Sequence, residues 1–239
     1  MQLEKVKKNT TLSEKAYQVV RDAIVTNRLT PGELLTEEQL SEMLNISRTP
    51  VRAAIRKLVD EGLLITQGKG VLVSTLTESD IDNIAAIRLA VEPLAIDQLE
   101  GKITPEMLRE LREIAEYQRN ITLSKLSSSE EYLSYIDADY RFHVTLAKCT
   151  GNRFLQDIVE RINTHSCRGH ILSSSLLSDA HKQAAEEHCT VVDCLERGDC
   201  TAARRAMENH IAAVRRRFLE EKRVCAARTD TVQSNAETE

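Results

Sequence analysis

With 239 residues, 41% of them hydrophobic and 29% charged, the chain has the balance of a globular protein of one or two domains and not that of a disordered one. No apolar run approaches the ~20 residues of a membrane-spanning helix, and Met1 to Thr11 is basic and polar, without the apolar stretch of a secretory signal. The net charge of −5 is uneven: residues 1–76 carry 11 Lys/Arg against 9 Asp/Glu, and residues 77–239 carry 21 against 28, so a mildly basic front end meets an acidic body and fits an anionic partner. Six cysteines with no C-x-x-C pair read as reduced thiols of a cytoplasmic protein, not as a disulfide framework or a thiolate zinc site. Eight glycines, four prolines and 3% aromatics argue against a β-sandwich or barrel and for a mainly α chain.

In chain order, Leu12, Ala16, Val19, Val20, Ala23 and Ile24 predict a helix to Arg28, broken by Leu29-Thr30-Pro31-Gly32. Thr36-Glu37-Glu38-Gln39 is a capping box that opens a second helix, with Leu40, Met43 and Leu44 inward. After Asn45-Ile46, Ser47 caps a third helix, with Pro50 in its first turn and Val51, Ile55 and Leu58 on its core side; Glu61-Gly62 ends it. Leu63–Gln67 and Val71–Ser74 predict two strands around Gly68-Lys69-Gly70. Helix, helix, tight turn, helix and hairpin make an N-terminal winged helix-turn-helix over residues 1–74.

Arg48, Arg52 and Arg56 stand at i, i+4 and i+8 on the face of the third helix opposite its apolar residues, with Thr49 beside them. The plain alternative is a solvated arginine face. The specific reading is contact with double-stranded DNA, since an arginine can bond guanine O6 and N7 together and the helix N-terminus is the end that enters the major groove. Lys69 on the hairpin suits a phosphate contact. Pro31-Gly32-Glu33-Leu34-Leu35, Leu40-Ser41-Glu42, Ser47-Arg48-Thr49-Pro50-Val51-Arg52-Ala53-Ala54 and Leu58-Val59-Asp60-Glu61-Gly62-Leu63 together resemble the DNA-binding domain of GntR-family transcriptional regulators. The hairpin Gln67-Gly68-Lys69-Gly70-Val71-Leu72-Val73 is similar to that family's wing, which adds Gln67 and Gly68 to the expected DNA contacts. One departure is that family members often carry an arginine just before Leu-Ser-Glu, where this chain has Glu37, Glu38 and Gln39.

Thr75–Ser79 is polar and reads as a linker. Six helices are predicted beyond it, at 78–100, 104–123, 129–149, 151–173, 177–197 and 199–221, forming an antiparallel all-α bundle over residues 80–225; breaks fall at Gly101 with Pro105, Ser127–Ser129, Thr150-Gly151, Ser173–Ser175 and Gly198. Residues 226–239 are polar and aperiodic and read as a disordered tail.

Four polar residues interrupt apolar faces of this bundle. Asp139 and His143 lie i, i+4 on the face Tyr132, Ile136, Leu146; His188 lines up with Ala184, Val191 and Leu195; His210 lines up with Ala203, Met207, Val214 and Phe218. His188 and His210 are each ~16 Å along their helices from the turn at Gly198-Asp199, hence at the same level. A lone core histidine needs no ligand, but a carboxylate and three imidazoles on three apolar faces are explained together by a divalent metal inside the bundle. Zinc is the first choice for such a set, with nickel and manganese as alternatives. His165, His170 and His181 show no such pattern. Arg88, among Ile84, Ile87, Val91 and Ala95, needs an anion, either Glu92 at i+4 or a bound small carboxylate.

Asp139-Tyr140-Arg141-Phe142-His143, Gly151-Asn152, Glu187-His188 and His210 resemble the C-terminal ligand-sensing (FCD) domain of the FadR-type subgroup of GntR regulators. The resemblance implies a metal held by Asp139, His143, His188 and His210, a small organic acid as effector with Arg88 lining its pocket, a homodimer on a short palindromic operator, and repression relieved by ligand. A metal-dependent enzyme and a purely structural metal are the rivals. The enzyme lacks a general base at the metal, because Glu187 lies about 100° round the helix from His188.

Overall fold

The computed structural model describes residues 11–25, 28–123, 129–172 and 179–236, with side chains except those of residues 25, 129, 168, 170–172 and 221–236. The expected serine breaks at 127–128 and 173–175, and the last three residues of the tail, lie outside the described residues. The chain divides between Thr75 and Leu76 into two compact units. Among the described residues, no helix is long and apolar enough to cross a membrane.

The N-terminal unit contains α1 (Leu12–Val25), β1 (Leu34–Thr36), α2 (Glu37–Leu44), α3 (Arg48–Asp60), β2 (Leu64–Gln67) and β3 (Gly70–Val73). Its core is built from Ala16, Tyr17, Val20 and Ile24 of α1, Leu40 of α2, Val51, Ile55 and Leu58 of α3, and Leu64, Val71 and Val73 of the sheet. Met43, expected inward, is exposed, and Val19 of α1 points outward in favour of Tyr17. The Tyr17 hydroxyl donates to Glu61 beyond α3 at 2.8 Å, and Lys57 sits 3.7 Å above its ring, so a polar tip and a cation take up a ring that an aliphatic core would not. Thr36 and Gln39 form the expected capping box. Asn45 closes α2 in the left-handed region at φ 51°, which asparagine tolerates, and makes the tight turn into α3. Ser47 holds the extended N-cap position without a side-chain bond.

β1 was not expected: three residues after a Pro-Gly turn carry no alternation to detect. It completes an antiparallel sheet of order β1-β3-β2, with Leu35 opposite Val71 and Thr36 opposite Gly70. Gly68 turns the hairpin tip at φ +58°. Gly70 is required by space, since a Cβ there would lie 2.5 Å from the Leu35 carbonyl oxygen.

The C-terminal unit is the bundle α4 (Glu78–Leu99), α5 (Pro105–Leu123), α6 (Ser129–Cys149), α7 (Arg153–Leu172), α8 (Asp179–Glu196) and α9 (Cys200–Ala236). The expected linker is shorter than 75–79, because Thr77 and Asp80 form a capping box that draws Glu78 and Ser79 into the first turn of α4. The helix expected to end near residue 221 runs on to Ala236, through a stretch rich in good helix formers that extends an already nucleated helix. The core packs Ile96 and Leu99 of α4, Leu111 and Ala115 of α5, Phe142 and Leu146 of α6, Val191, Val192 and Leu195 of α8, and Met207 and Ile211 of α9. Ile87 of α4 is exposed, and Arg88 is turned into the bundle instead.

Gly70→Ala is expected to destabilise the N-terminal unit by about 1–3 kcal/mol through overpacking against β1. Hydrogen exchange of the Leu35 and Val71 amides and urea unfolding of the full chain check this; unaltered exchange would show that β1 does not depend on the close approach.

Candidate metal centre and nucleic-acid interface

α6, α8 and α9 bring His143, His188 and His210 together, each buried to within 1% exposure. His188 Nε2 lies 3.2 Å from His143 Nε2 and 3.1 Å from His210 Nε2. The outer nitrogen of every ring is held by an oxygen. His143 Nδ1 is 2.8 Å from Glu92 Oε2, His188 Nδ1 is 2.6 Å from Gln118 Oε1, and His210 Nδ1 is 2.8 Å from Glu187 Oε2.

These partners set the tautomers. Carboxylates accept, so His143 and His210 donate from Nδ1. Gln118 Nε2 donates to Asp139 Oδ1 at 3.1 Å, which leaves its Oε1 to accept from His188 Nδ1. Arg88 Nη2 approaches His143 Nε2 at 2.9 Å, and a guanidinium can only donate. With Nδ1 donating on each ring, Nε2 is the acceptor that remains, and the three Nε2 atoms cluster in the interior, that of His143 accepting from Arg88. Lone pairs ~3 Å apart in an apolar interior repel unless a proton or a cation lies between them. Donors bonded to one ion at about 2.0–2.1 Å must lie within about 4.2 Å of each other, and the separations of 3.2 and 3.1 Å from His188 Nε2 meet that condition. The three imidazoles thus fit a divalent metal, with ring orientation fixed by outer partners as metal-ligating histidines require.

Asp139, expected as a fourth ligand, is buried beside the centre, its Oδ1 3.9 Å from His188 Nε2 and bonded to Gln118. Phe142 stacks on the His188 ring at 4.1 Å between centroids and walls off one side. Burial pushes the His188 imidazole well below its ordinary value, with the neighbouring His210 and His143 rings adding to the effect. Burial also lowers His210, against the pull of Glu187.

Arg88 is an inner residue, at 2% exposure. It donates to Glu92 Oε1 at 2.7 Å and to the Ser166 hydroxyl at 2.9 Å. Glu92 also accepts from Asn163 at 2.9 Å and from His143. Burial opposes ionisation of Glu92, but Arg88 and His143 outweigh it and hold the carboxyl far below the usual carboxylate range. Arg88 thus has the i+4 partner weighed from the sequence, and it reaches the metal centre as well.

Three supporting roles are not evident from the sequence, those of Gln118, Glu187 and Ser166. Gln118 was detectable as the polar member of the buried row Leu111, Ile114, Ala115. Glu187 does lie away from His188, but it crosses to α9, where it holds His210 and takes a two-pronged bond from Arg217 at 2.8 Å. Burial works against the Glu187 carboxylate; Arg217 and His210 prevail and hold it down at about 2. Ser166 had no signal in sequence. His181, read as ordinary, is buried edge-on between Tyr132 and Tyr135.

In the N-terminal unit, Arg48, Thr49, Arg52 and Arg56 are exposed on α3, as are Gln67, Gly68 and Lys69 at the hairpin tip. Two of the arginines are engaged. Arg52 donates from Nε and Nη2 to Glu37 at 2.9 and 2.7 Å, and Arg48 donates from Nη2 to Glu38. The bond from Arg52 lowers the Glu37 carboxyl.

Since His188 and His210 resist protonation when folded, the unfolded chain binds more protons once pH falls below the ordinary imidazole value of 6.5. Stability must then fall with pH from that point downward. Metal-free protein is expected to lose melting temperature steadily from pH 6.5 toward about pH 5, and His188→Phe to lose less over that interval. A melting temperature flat across the range would contradict two buried neutral rings.

Residues 83–213 match the FCD domain, and residues 12–73 match the bacterial regulatory proteins of the gntR family. The chain is 31% identical to the uncharacterised HTH-type transcriptional regulator YdhC of Bacillus subtilis over 155 residues, covering 64% of this chain and 67% of that protein. It is 25% identical to the HTH-type transcriptional repressor RspR of Escherichia coli over 205 residues, covering 85% and 87%. The solved structure of E. coli McbR/YncC shares the fold with a TM-score of 0.67 at 20% identity, covering 89% of this chain and 99% of that one. A winged helix-turn-helix followed by a helical FCD domain, matched over nearly the whole folded chain, makes this protein a member of the GntR family of transcriptional regulators.

Proposed function

We propose that the protein is a cytoplasmic, dimeric repressor whose affinity for a palindromic DNA operator is set by a small carboxylate at a divalent-metal centre in its helical unit. The observation that carries this reading is the convergence of three Nε2 atoms with a guanidinium beside them. His143, His188 and His210 would hold the metal, with Asp139 adjacent as a fourth donor; zinc suits the set, and nickel and manganese are compatible with it. The metal would supply Lewis acidity and open positions for carboxylate oxygens. Arg88 Nη2, now on His143, is the donor that such an acid would take over.

The cleft beside Arg88, lined by Ile81, Ile84, Ser166, Ile211 and Phe218, has ≈ 20 Å³ of free space, room for a water and no more. An acid must therefore displace side chains of α4 and α7. That supports regulation, because a ligand shifts an equilibrium only by its differential affinity for two arrangements. α4 is also the first helix after the DNA-binding unit in sequence.

A metalloenzyme is the less favoured reading. The carboxylates of Glu92 and Glu187 are spent on the outer edges of the rings, and relatives such as RspR are named as regulators. A metal that only ties α6, α8 and α9 together would account for the histidines, and Arg88 would then serve only its bonds to Glu92, Ser166 and His143.

Arg52→Ala is expected to reduce discrimination between the selected operator and single-base variants by ~1–3 kcal/mol, whereas Lys69→Ala weakens all duplexes evenly. Fluorescence anisotropy on duplexes recovered by in vitro selection checks this, and an equal loss on all sequences for the Arg52 variant would refute base readout by α3. His210→Ala should keep DNA binding while losing metal and the response to organic acids, and Arg88→Ala should keep the metal but weaken that response. A folded His210→Ala protein with full response would remove the metal from the mechanism. Sedimentation should give a dimer; a monomer with and without DNA would refute the palindromic arrangement.

A further inference from the structure

The acidic start of α2 has a role that its sequence does not announce. Glu37 and Glu38 occupy the first two positions of that helix, and both face α3. Each is joined to one arginine of the exposed row: Glu37 to Arg52 and Glu38 to Arg48. The two pairs differ in geometry. Arg52 offers Glu37 its side edge, Nε with Nη2, at 2.9 and 2.7 Å. That leaves its end edge, Nη1 with the second Nη2 hydrogen, unspent. Arg48 gives Glu38 a single bond, from Nη2, and so shares its charge with a carboxylate without being braced along an edge.

We infer that Glu37 is a positioning residue that presents the end edge of Arg52 to a guanine, while Glu38 holds Arg48 away from phosphate, so that together they set the ratio of specific to non-specific DNA binding. The inference rests on α3 reading bases. A guanidinium braced on one edge by a carboxylate has lost most of its rotamer freedom before DNA arrives, and its remaining two donors match guanine O6 and N7. A phosphate gains less, since it approaches with two carboxylates close by and its attraction for each arginine is partly cancelled. Specificity then comes from attraction at the base and repulsion at the backbone at once. Arg56, which makes no such bond to α2 among the described residues, is an exposed cation on the same helix.

The test uses the full-length protein, an operator recovered by selection from random duplexes, all single-base variants of it, and a scrambled duplex, each titrated from 50 to 200 mM salt. Glu37→Ala and Glu37→Gln are expected to flatten base preference about tenfold at the same operator position as Arg52→Ala and nowhere else. Glu38→Gln is expected to tighten binding to the scrambled duplex about fivefold and to steepen its log–log salt slope by up to about 1. Circular dichroism and thermal melting show whether α2 survives, and Glu37→Gln keeps the helix start if the alanine variant does not. If Arg52→Ala shifts a base preference and neither Glu37 variant does, the inference falls and base readout by α3 stands. If Arg52→Ala shifts none, both fall. Unchanged affinity of Glu38→Gln for the scrambled duplex overturns the part assigned to Glu38.

Discussion

Every feature of the helical unit that bears on function depends on three hydrogen bonds at the outer edges of three rings. Glu92, Gln118 and Glu187 each accept from an imidazole Nδ1, and so turn His143, His188 and His210 with their Nε2 atoms inward. Without those oxygens the rings could flip or take the other tautomer, and the interior would hold three unrelated histidines. With them, three lone pairs converge in a space closed by Phe142. A buried polar cluster of this kind is costly unless every group has a partner. The outer ring nitrogens have theirs in the protein, and the inner ones, of which His143 Nε2 also meets Arg88, could hold a cation.

The same bonds tie the centre to its surroundings. Glu92 belongs at once to His143, Arg88 and Asn163, so α4, α6 and α7 meet at one carboxylate. Glu187 links His210 to Arg217, joining α8 to α9 twice. A metal held by the three rings would be linked to the first helix of the unit through two side chains, Arg88 and Glu92. Coupling of ~1–3 kcal/mol is the ordinary size of an allosteric effect, and a rearranged buried ion pair is enough to supply it.

Much of this was legible in the sequence. The helix-turn-helix was readable because its signals are local: a Thr-x-x-Gln capping box, an Asn turn and an arginine row at i, i+4, i+8. The three histidines were readable because each breaks an apolar row at helical spacing, and because His188 and His210 lie equally far from one turn. Less was legible where contact is long-range. β1 is too short for alternation and exists by virtue of its approach to Gly70. Gln118 and Glu187 act across helix interfaces that spacing along one helix cannot predict. The helix start at residue 78 was placed correctly, but the linker was drawn across it to residue 79 because Thr77-Glu78-Ser79-Asp80 is as polar as a loop. Glu37 and Glu38 were visible as a departure from the family pattern, but their pairing with α3 depends on the turn that brings the two helices together.

Whether the three Nε2 atoms hold a metal can be measured directly. Cobalt(II) titration of chelator-treated protein, followed by the visible absorption of the ion, reads both stoichiometry and ligand type. One cobalt per chain, with a spectrum of nitrogen and oxygen ligation that is lost in His188→Ala, is the result expected. No binding at micromolar cobalt, or an identical spectrum in the His188→Ala protein, would contradict a centre built on these rings.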